Sequence, residues 1–595
     1  MSRRHLYNSL DGLVNKCLRG LIAYNPALAL DEQSRVVFNT EYDRSTVSII
    51  SGGGSGHEPA WSGYVGTNFL AASVAGDVFA SPSTKQILAG IDTVPSDKGT
   101  ILVVTNYTGD CLHFGLAAEK ANAKGQKCKM IICGDDVSVG KNGSLVGRRG
   151  LAGQVGVLKV MGGASGAGGS LDEVYDLGVA FSQQIVSMAV TLDHCHVPGR
   201  TEHAQSKIDE LEIGTGPHNE PGYQTISPVP SPEDLAKAIL TYLLDESDPL
   251  RGYVSFEKGD ETILLVSNFG GMSFLEMGAF VNELLDQLDA NWGIVPVRVV
   301  SGLLETSLNA PAFSVSVVNI SAAAKNCSYS TDDIKGFFDA RTNTHWESLT
   351  GSQARRRPRK EQLVQPPPAP RHVINDATDL KVDPTQLDRM LRTACTKLIE
   401  AEPDLTRWDT VMGDGDCGET LKQGALYLLE ALDAGVAKDG SVGAILQELE
   451  EILEGKMGGT LGGILGIFVV SLRAALVDSF ALKTEDGGIS KLWGVATRTA
   501  LDNLTRYTPA KVGDRTVMDT LVPFAEGLAA NGSFDEGVAA AVAGAEKTKT
   551  LKPRLGRATY VGAGQDASHD LPPDPGAWGA MVVIQGLQAG LNRGT

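Results

Sequence analysis

Three short segments of the chain gather side chains able to bind and activate a small polar molecule. The run Ser51-Gly-Gly-Gly-Ser-Gly-His57-Glu-Pro59 follows a short apolar stretch at 47–51. Its glycines let the main chain approach a ligand closely, while its serine, histidine and amides can donate hydrogen bonds. A tight glycine turn, with His57 merely satisfied by a carbonyl, fits the spacing equally well, because neither the phosphate-loop nor the dinucleotide fingerprint is matched. In Asn106-Tyr-Thr-Gly-Asp110, again after an apolar run, the aspartate can accept a proton from a substrate hydroxyl. It can as readily cap a helix beginning near Leu112. The third segment, Ile213-Gly-Thr-Gly-Pro-His218-Asn-Glu-Pro-Gly222, displays a histidine between glycines and prolines. Neutral imidazole can add to a ketone or aldehyde carbonyl, although a lone loop histidine is more often structural.

Two further segments suit metal and phosphate. Asp409-Thr-Val-Met-Gly-Asp414-Gly-Asp416-Cys-Gly418 places three carboxylates within eight residues. Such crowding is repulsive without a cation, and hard oxygen donors suit Mg²⁺, which in turn binds phosphates. A polar turn with side-chain bonding is the alternative; an EF-hand loop is excluded, since Gly418 stands where that pattern needs a ligand. Gly458-Gly459-Thr460-Leu461-Gly-Gly463 opens a strongly apolar helix whose first amides and Thr460 hydroxyl can cradle phosphate. His194-Cys195-His196 reads as structural, because adjacent side chains point apart and no second ligand pair stands at zinc spacing. Gly562-Ala-Gly-Gln-Asp-Ala567 runs into Pro572-Pro573 rather than a helix, so it is no dinucleotide loop.

The elements that must position these groups differ between the two halves. Up to about residue 340 an apolar β-rich run, a glycine or asparagine turn and a helical segment recur, as at 101–107, 112–123 and 130–133, and again at 262–266, 274–288 and 294–300. This alternation predicts α/β layers with ligands at the carboxyl ends of strands. Residues 351–381 crowd arginine, lysine and proline without an apolar period, which predicts an extended linker. Beyond it Leu387, Met390, Leu391, Ala394 and Leu398 recur at helical spacing, and the remainder is rich in alanine and leucine, predicting an all-α second half. The expected divisions are 1–345, with two subdomains split near 195–205, then a linker at 346–380 and a helical domain at 381–595.

At 595 residues, 42% apolar and 21% charged, the chain has the composition of a folded protein with several cores. A net charge of −19 repels phosphate backbones and argues against nucleic-acid partners. The basic run Arg355-Arg-Arg-Pro-Arg-Lys360 reads as solvated linker. Eight scattered cysteines without C-x-x-C pairs, and no apolar leader, lead to the expectation of a reducing, cytoplasmic setting. The richest apolar window, 458–477, carries five glycines and Arg473, so no membrane span is expected.

Taken in order, GGGSGHEP, NYTGD, the pattern around His218, GDGDCG, MGGT, GDRTVMD and DPGA resemble the ATP-dependent dihydroxyacetone kinases, in which a substrate-binding K domain is joined to a nucleotide-binding L domain. The resemblance spans nearly the whole chain. It implies that His218 holds the substrate carbonyl as a hemiaminal, that His57 polarises the adduct and that Asp110 takes the proton of the hydroxyl being phosphorylated. Gly54, Ser55, Gly56 and Thr105 would complete the substrate site. In the L domain, an antiparallel helical barrel, it makes Asp409, Asp414 and Asp416 the ligands of two Mg²⁺ ions. ATP would be bound by Asp409, Thr410, Gly459, Thr460, Leu461, Thr516, Val517, Met518, Arg557, Asp574, Pro575 and Gly576. The substrates implied are a short ketose or aldose and ATP, and the assembly a homodimer.

The sequence departs from that family's pattern at three places: Thr105 where lysine is frequent, Leu461 where serine is frequent, and a longer connection at 566–573. Two other functions compete with the kinase reading. FAD-AMP lyase activity would need the aspartate trio without His218, and a non-catalytic regulatory protein would need neither.

Overall fold

Runs of β-branched residues form the strands of two mixed six-stranded sheets, both within the first of two compact units, Met1–Gln362 and Leu363–Thr595. The computed structural model describes residues 5–142, 145–200, 205–346, 359–365, 367, 374–481, 488–555 and 571–592. The first sheet holds β1 (Leu28–Asp31), β2 (Val36–Asn39), β3 (Ser48–Ser55), β4 (Ala72–Val78), β5 (Thr100–Thr105) and β6 (Cys128–Cys133), in the order β1-β2-β4-β3-β5-β6. Strands β4, β3, β5 and β6 run parallel. The chain leaves β3 for β4 on one side and returns to β5 on the other, so a crevice opens at the carboxyl ends of β3 and β5.

The glycine run lies inside β3 rather than in a loop after it. A side chain on Gly52 would strike the Val74 carbonyl of β4, and one on Gly54 would come within 2.8 Å of the Ala80 amide nitrogen. Close approach of neighbouring main chain therefore demands these glycines. Only Gly56, with φ +103°, turns the chain beyond the strand.

The second sheet comprises β7 (Ile185–Thr191), β8 (Leu211–Ile213), β9 (Gln224–Ile226), β10 (Thr262–Asn268), β11 (Arg298–Gly302) and β12 (Ala312–Asn319), ordered β11-β10-β12-β7-β8-β9. Only β10 and β11 pair in parallel. The two sheets divide between β6 and β7, so the subdivision expected near 195–205 falls inside the second sheet, between β7 and β8.

A glycine-rich helix, Gly153–Gly166, is buried along almost its whole length and packs against β3, β7 and β12. Its Lys159 is fully buried, with Nζ 2.8 Å from the Phe337 carbonyl oxygen. Burial pulls Lys159 down to about 8, partly offset by Asp339. Between pH 8 and the ordinary lysine range the unfolded chain binds the extra proton, so this group makes stability rise with pH across that window. Lys159→Met is expected to flatten that rise and to stabilise the unit at pH 7 by about 1–3 kcal/mol, read from thermal melts at a series of pH values.

In the second unit the described residues form a closed ring of eight helices. These are Pro384–Met412, Cys417–Asp433, Val442–Lys456, Gly459–Ala481, Gly488–Leu504, Met518–Asn531, Phe534–Lys547 and Pro575–Asn592. Each packs on the next, and the last packs on the first, so the α/β and all-α halves expected from the two periodicities are both found. Asp379, inside the expected linker, is buried and accepts from Ser441 Oγ at 2.6 Å. The segment Gly459–Ser479 is long and apolar enough to cross a membrane by length and composition, contrary to the reading of its window. It packs between the helices on either side of it in the ring.

Candidate active site

His57 and Asp110 enter the crevice from the carboxyl ends of β3 and β5, and His218 reaches it from the loop between β8 and β9. His57 is buried; its Nδ1 lies 2.7 Å from the Thr306 carbonyl oxygen and its Nε2 lies 3.0 Å from Nε2 of His218. His218 Nδ1 faces Glu220 Oε1 at 3.2 Å, and the His218 amide donates to Glu220 Oε2 at 2.8 Å. Phe79 stacks on His57 at 5.2 Å between centroids, while Phe79 and Tyr107 meet the His218 ring edge-on at 4.9 and 4.7 Å. The loop carrying His218 is itself pinned: Asn219, at φ +64°, exchanges hydrogen bonds with the Cys195 main chain, and Ser307 Oγ donates to the Pro217 carbonyl.

Asp110 does not cap a helix beginning at Leu112. The helix starts earlier, as Thr108–Ala123, with Tyr107 at the cap position and Asp110 buried in the first turn. Its Oδ1 has no hydrogen-bond partner among the described residues. Burial raises its proton affinity, offset in part by a Ser81 hydrogen bond and the His218 charge. The result is a stronger base aimed into a crevice.

Electrostatics hold His57 in its neutral form. Burial, reinforced by His218, pushes His57 down to about 3 although its Thr306 bond opposes the shift. Glu220 is held down to about 2: burial acts against its charge, but the hydrogen bond and charge of His218, with nearby amides, prevail.

The remaining substrate-site expectations lie at the same crevice but are engaged by the protein. Ser55 Oγ donates to the Gly76 carbonyl at 2.9 Å, Thr105 Oγ1 donates to Gln154 Oε1 at 2.7 Å, and the Gly56 amide bonds the Glu58 carboxylate. A side chain on Gly53 would come within 2.9 Å of Trp61 Nε1 and 3.7 Å of Asp110 Oδ1, so this glycine keeps the crevice floor open. Reading the sequence missed Phe79, Tyr107 and Thr306, which only the fold brings near. Glu220 stood two residues from His218 and could have been found there as a potential partner.

In the helical unit Asp409 sits near the end of the first helix, and Asp414 and Asp416 follow in the turn. One oxygen from each lies within 4.8 Å of the others. Asp409 Oδ2 accepts from the amides of Gly415 and Cys417, both at 3.1 Å, which fixes the turn. Three carboxylates held this close are a hard-oxygen donor set that fits Mg²⁺. Thr410, beside Asp409, donates to the Thr406 carbonyl.

Two distant segments meet nearby. Residues 513–519 wind around Asp519, which accepts from the Gly513 and Thr516 amides at 2.6 and 2.8 Å. Thr520 Oγ1 reaches the Ala577 carbonyl at 2.9 Å, and Val517, whose neighbour Met518 is buried, approaches Gly576. Asp574 caps the last helix just before Pro575, accepting from the Ala577 amide at 2.8 Å. Burial raises Asp574 to about 6, with Asp519 and Asp409 close enough to add to the rise, so the two ends of the expected nucleotide site converge. Arg515 is buried and gives one nitrogen to the Pro572 carbonyl, while Nε and Nη1 find no partner among the described residues. Gly459, at φ +70°, starts its helix; Thr460 is exposed there and Leu461 packs into the apolar core of the ring. Arg557 and the 562–567 loop lie outside the described residues, as does most of the 566–573 connection.

The class this defines is a bipartite kinase, with a histidine and aspartate cluster in the α/β unit and a carboxylate trio in the helical one. Residues 19–345 match the Dak1 domain and residues 411–589 the DAK2 domain. The chain belongs to the dihydroxyacetone kinase family. It is 40% identical over 618 residues to a dihydroxyacetone kinase of Pichia angusta, covering 99% of this chain and 98% of that protein. It is 32% identical over 603 residues to a mouse triokinase/FMN cyclase, covering 99% and 98%. The crystal structure of the dihydroxyacetone kinase from C. freundii in complex with AMP-PNP and Mg²⁺ superposes with a TM-score of 0.62 at 26% identity, covering 99% of this chain and all of that one.

Proposed function

We propose that this chain phosphorylates dihydroxyacetone, and also glyceraldehyde, with ATP after trapping the substrate carbonyl on His218. The facing Nε2 atoms of His57 and His218, 3.0 Å apart beside the open Asp110 carboxylate, support this reading above all. His218 Nε2 adds to the carbonyl carbon, and His57 delivers a proton to the oxygen, giving a hemiaminal with no loss of water. Asp110 Oδ1 then takes the proton of the terminal hydroxyl as its oxygen attacks the γ-phosphorus. Asp409, Asp414 and Asp416 hold two Mg²⁺ ions, which when bound neutralise charge on the phosphates. The amides from Gly459, the 516–518 turn, the Asp574–Gly576 helix start and the open Arg515 donors position the nucleotide. The enzyme works as a homodimer in the cytoplasm, in keeping with eight free cysteines.

ATP consumption with dihydroxyacetone, glyceraldehyde, erythrulose and glycerol tests the proposal: turnover confined to the carbonyl compounds is expected. Turnover with none of them, or equally with glycerol, overturns it. Asp110→Asn is expected to lower kcat about 10²–10⁴-fold while adduct formation persists, because only the proton acceptor is lost. Stopped-flow phosphoryl transfer, alongside detection of bound carbonyl adduct, checks that separation.

A further inference from the structure

The geometry around His218 leaves one proton to be accounted for. His57 Nδ1 faces a carbonyl oxygen, which only accepts, so Nδ1 carries hydrogen and Nε2 is bare. Glu220, held ionised, also only accepts, so His218 Nδ1 carries hydrogen too. Two bare Nε2 atoms would repel at 3.0 Å, so this contact becomes a hydrogen bond when one extra proton lies between them. When that proton is bound the pair carries one positive charge, and the Glu220 carboxylate facing His218 Nδ1 is its counter-ion.

Glu220 also controls orientation. Phe79 and Tyr107 restrict the plane of the His218 ring through edge-on ring contacts, which do not tell one ring edge from the other. Glu220 does so, and by gripping the His218 amide with its second oxygen it ties ring to main chain. The other titratable or charged groups around the pair are Asp110, the Tyr107 phenol and Arg149, the last paired with Asp136.

We propose that Glu220 is a positioning residue for carbonyl capture: its carboxylate aims His218 Nε2 at the substrate carbon and balances the positive charge on the imidazole that forms the carbon–nitrogen bond. This rests on the capture reading above. As substrate arrives, the shared proton passes to His57 Nε2, the freed lone pair of His218 Nε2 forms the C–N bond, the carbonyl π bond breaks, and His57 returns the proton to the oxygen. His57 ends as it began, neutral. The His218 ring, now alkylated at Nε2 and protonated at Nδ1, keeps its positive charge beside an unchanged Glu220, so no charge is left buried and unbalanced.

The test uses the full chain as wild type, Glu220→Gln, Glu220→Asp and His218→Ala, with dihydroxyacetone labelled with carbon-13 at its carbonyl. Bound label is followed by carbon-13 NMR, as loss of the carbonyl resonance to a tetrahedral one, and kcat/KM is measured across pH. Glu220→Gln is expected to reduce the tetrahedral signal and kcat/KM about 10²-fold, while Glu220→Asp recovers part of both. Removing the negative charge weakens proton binding by the histidine pair, so the whole kcat/KM profile should move about one unit towards lower pH. A lower melting temperature with an unshifted profile marks a purely structural role and overturns the proposal. So does an adduct in Glu220→Gln equal to that of wild type. Absence of a tetrahedral signal in wild type overturns the capture reading and this inference with it, whereas its loss only in His218→Ala, with Glu220→Gln unaffected, overturns this inference alone.

Discussion

Replacing His218 with alanine is expected to lower kcat/KM for dihydroxyacetone by about 10³-fold or more, and to remove discrimination between dihydroxyacetone and glycerol in whatever activity remains. Both effects have one cause. Covalent attachment fixes the acceptor hydroxyl against Asp110 and removes the translational freedom that a loosely bound triose keeps. Selectivity for carbonyl compounds follows because a polyol gives the imidazole nothing to attack. His57 cannot substitute, since it lies deeper, is held on Thr306, and reaches the crevice through the atom that faces His218. Steady-state kinetics with both acceptors check the prediction, with melting curves to confirm folding. Retention of carbonyl selectivity in the variant would defeat it.

Asp414→Asn is expected to reduce turnover on the order of 10³-fold by weakening Mg²⁺ binding, since one of three close carboxylates loses its charge. The same loss relieves repulsion in the metal-free protein. Without Mg²⁺ the variant should therefore melt at or slightly above the wild-type temperature, while the further stabilisation that wild type gains from Mg²⁺ should largely disappear. Calorimetric titration with Mg²⁺ and paired melts with and without the ion measure both. An Asp414→Asn variant with near-normal turnover removes this aspartate from the metal site.

Much of this was legible in the sequence because the informative residues cluster locally. Asp409, Asp414 and Asp416 form their oxygen set within one turn, and strand-end loops announce His57 and Asp110 through glycines beside apolar runs. What stayed hidden depends on contacts made far along the chain. The glycines at 52–54 read as a loop, yet strand β4 and residue 80 crowd them so closely that only glycine can continue the strand there. The helix Gly153–Gly166 gives no amphipathic signal, because it is buried on every side and its glycines serve close packing: a side chain on Gly162 would meet the backbone of Phe69, and one on Gly163 that of Phe337. Thr306 is 249 residues from the histidine whose tautomer it sets, and no local pattern marks it. The alternative reading of Asp110 as an N-cap fails for a related reason: the helix begins at Thr108, which moves the aspartate from the cap to the first turn.

The histidine pair bridges 161 residues and joins the first sheet to the second. A nascent chain that has completed only its first sheet holds Asp110 and His57 but neither His218 nor the Thr306 carbonyl that His57 Nδ1 faces. The pair is therefore complete only when the two sheets have docked.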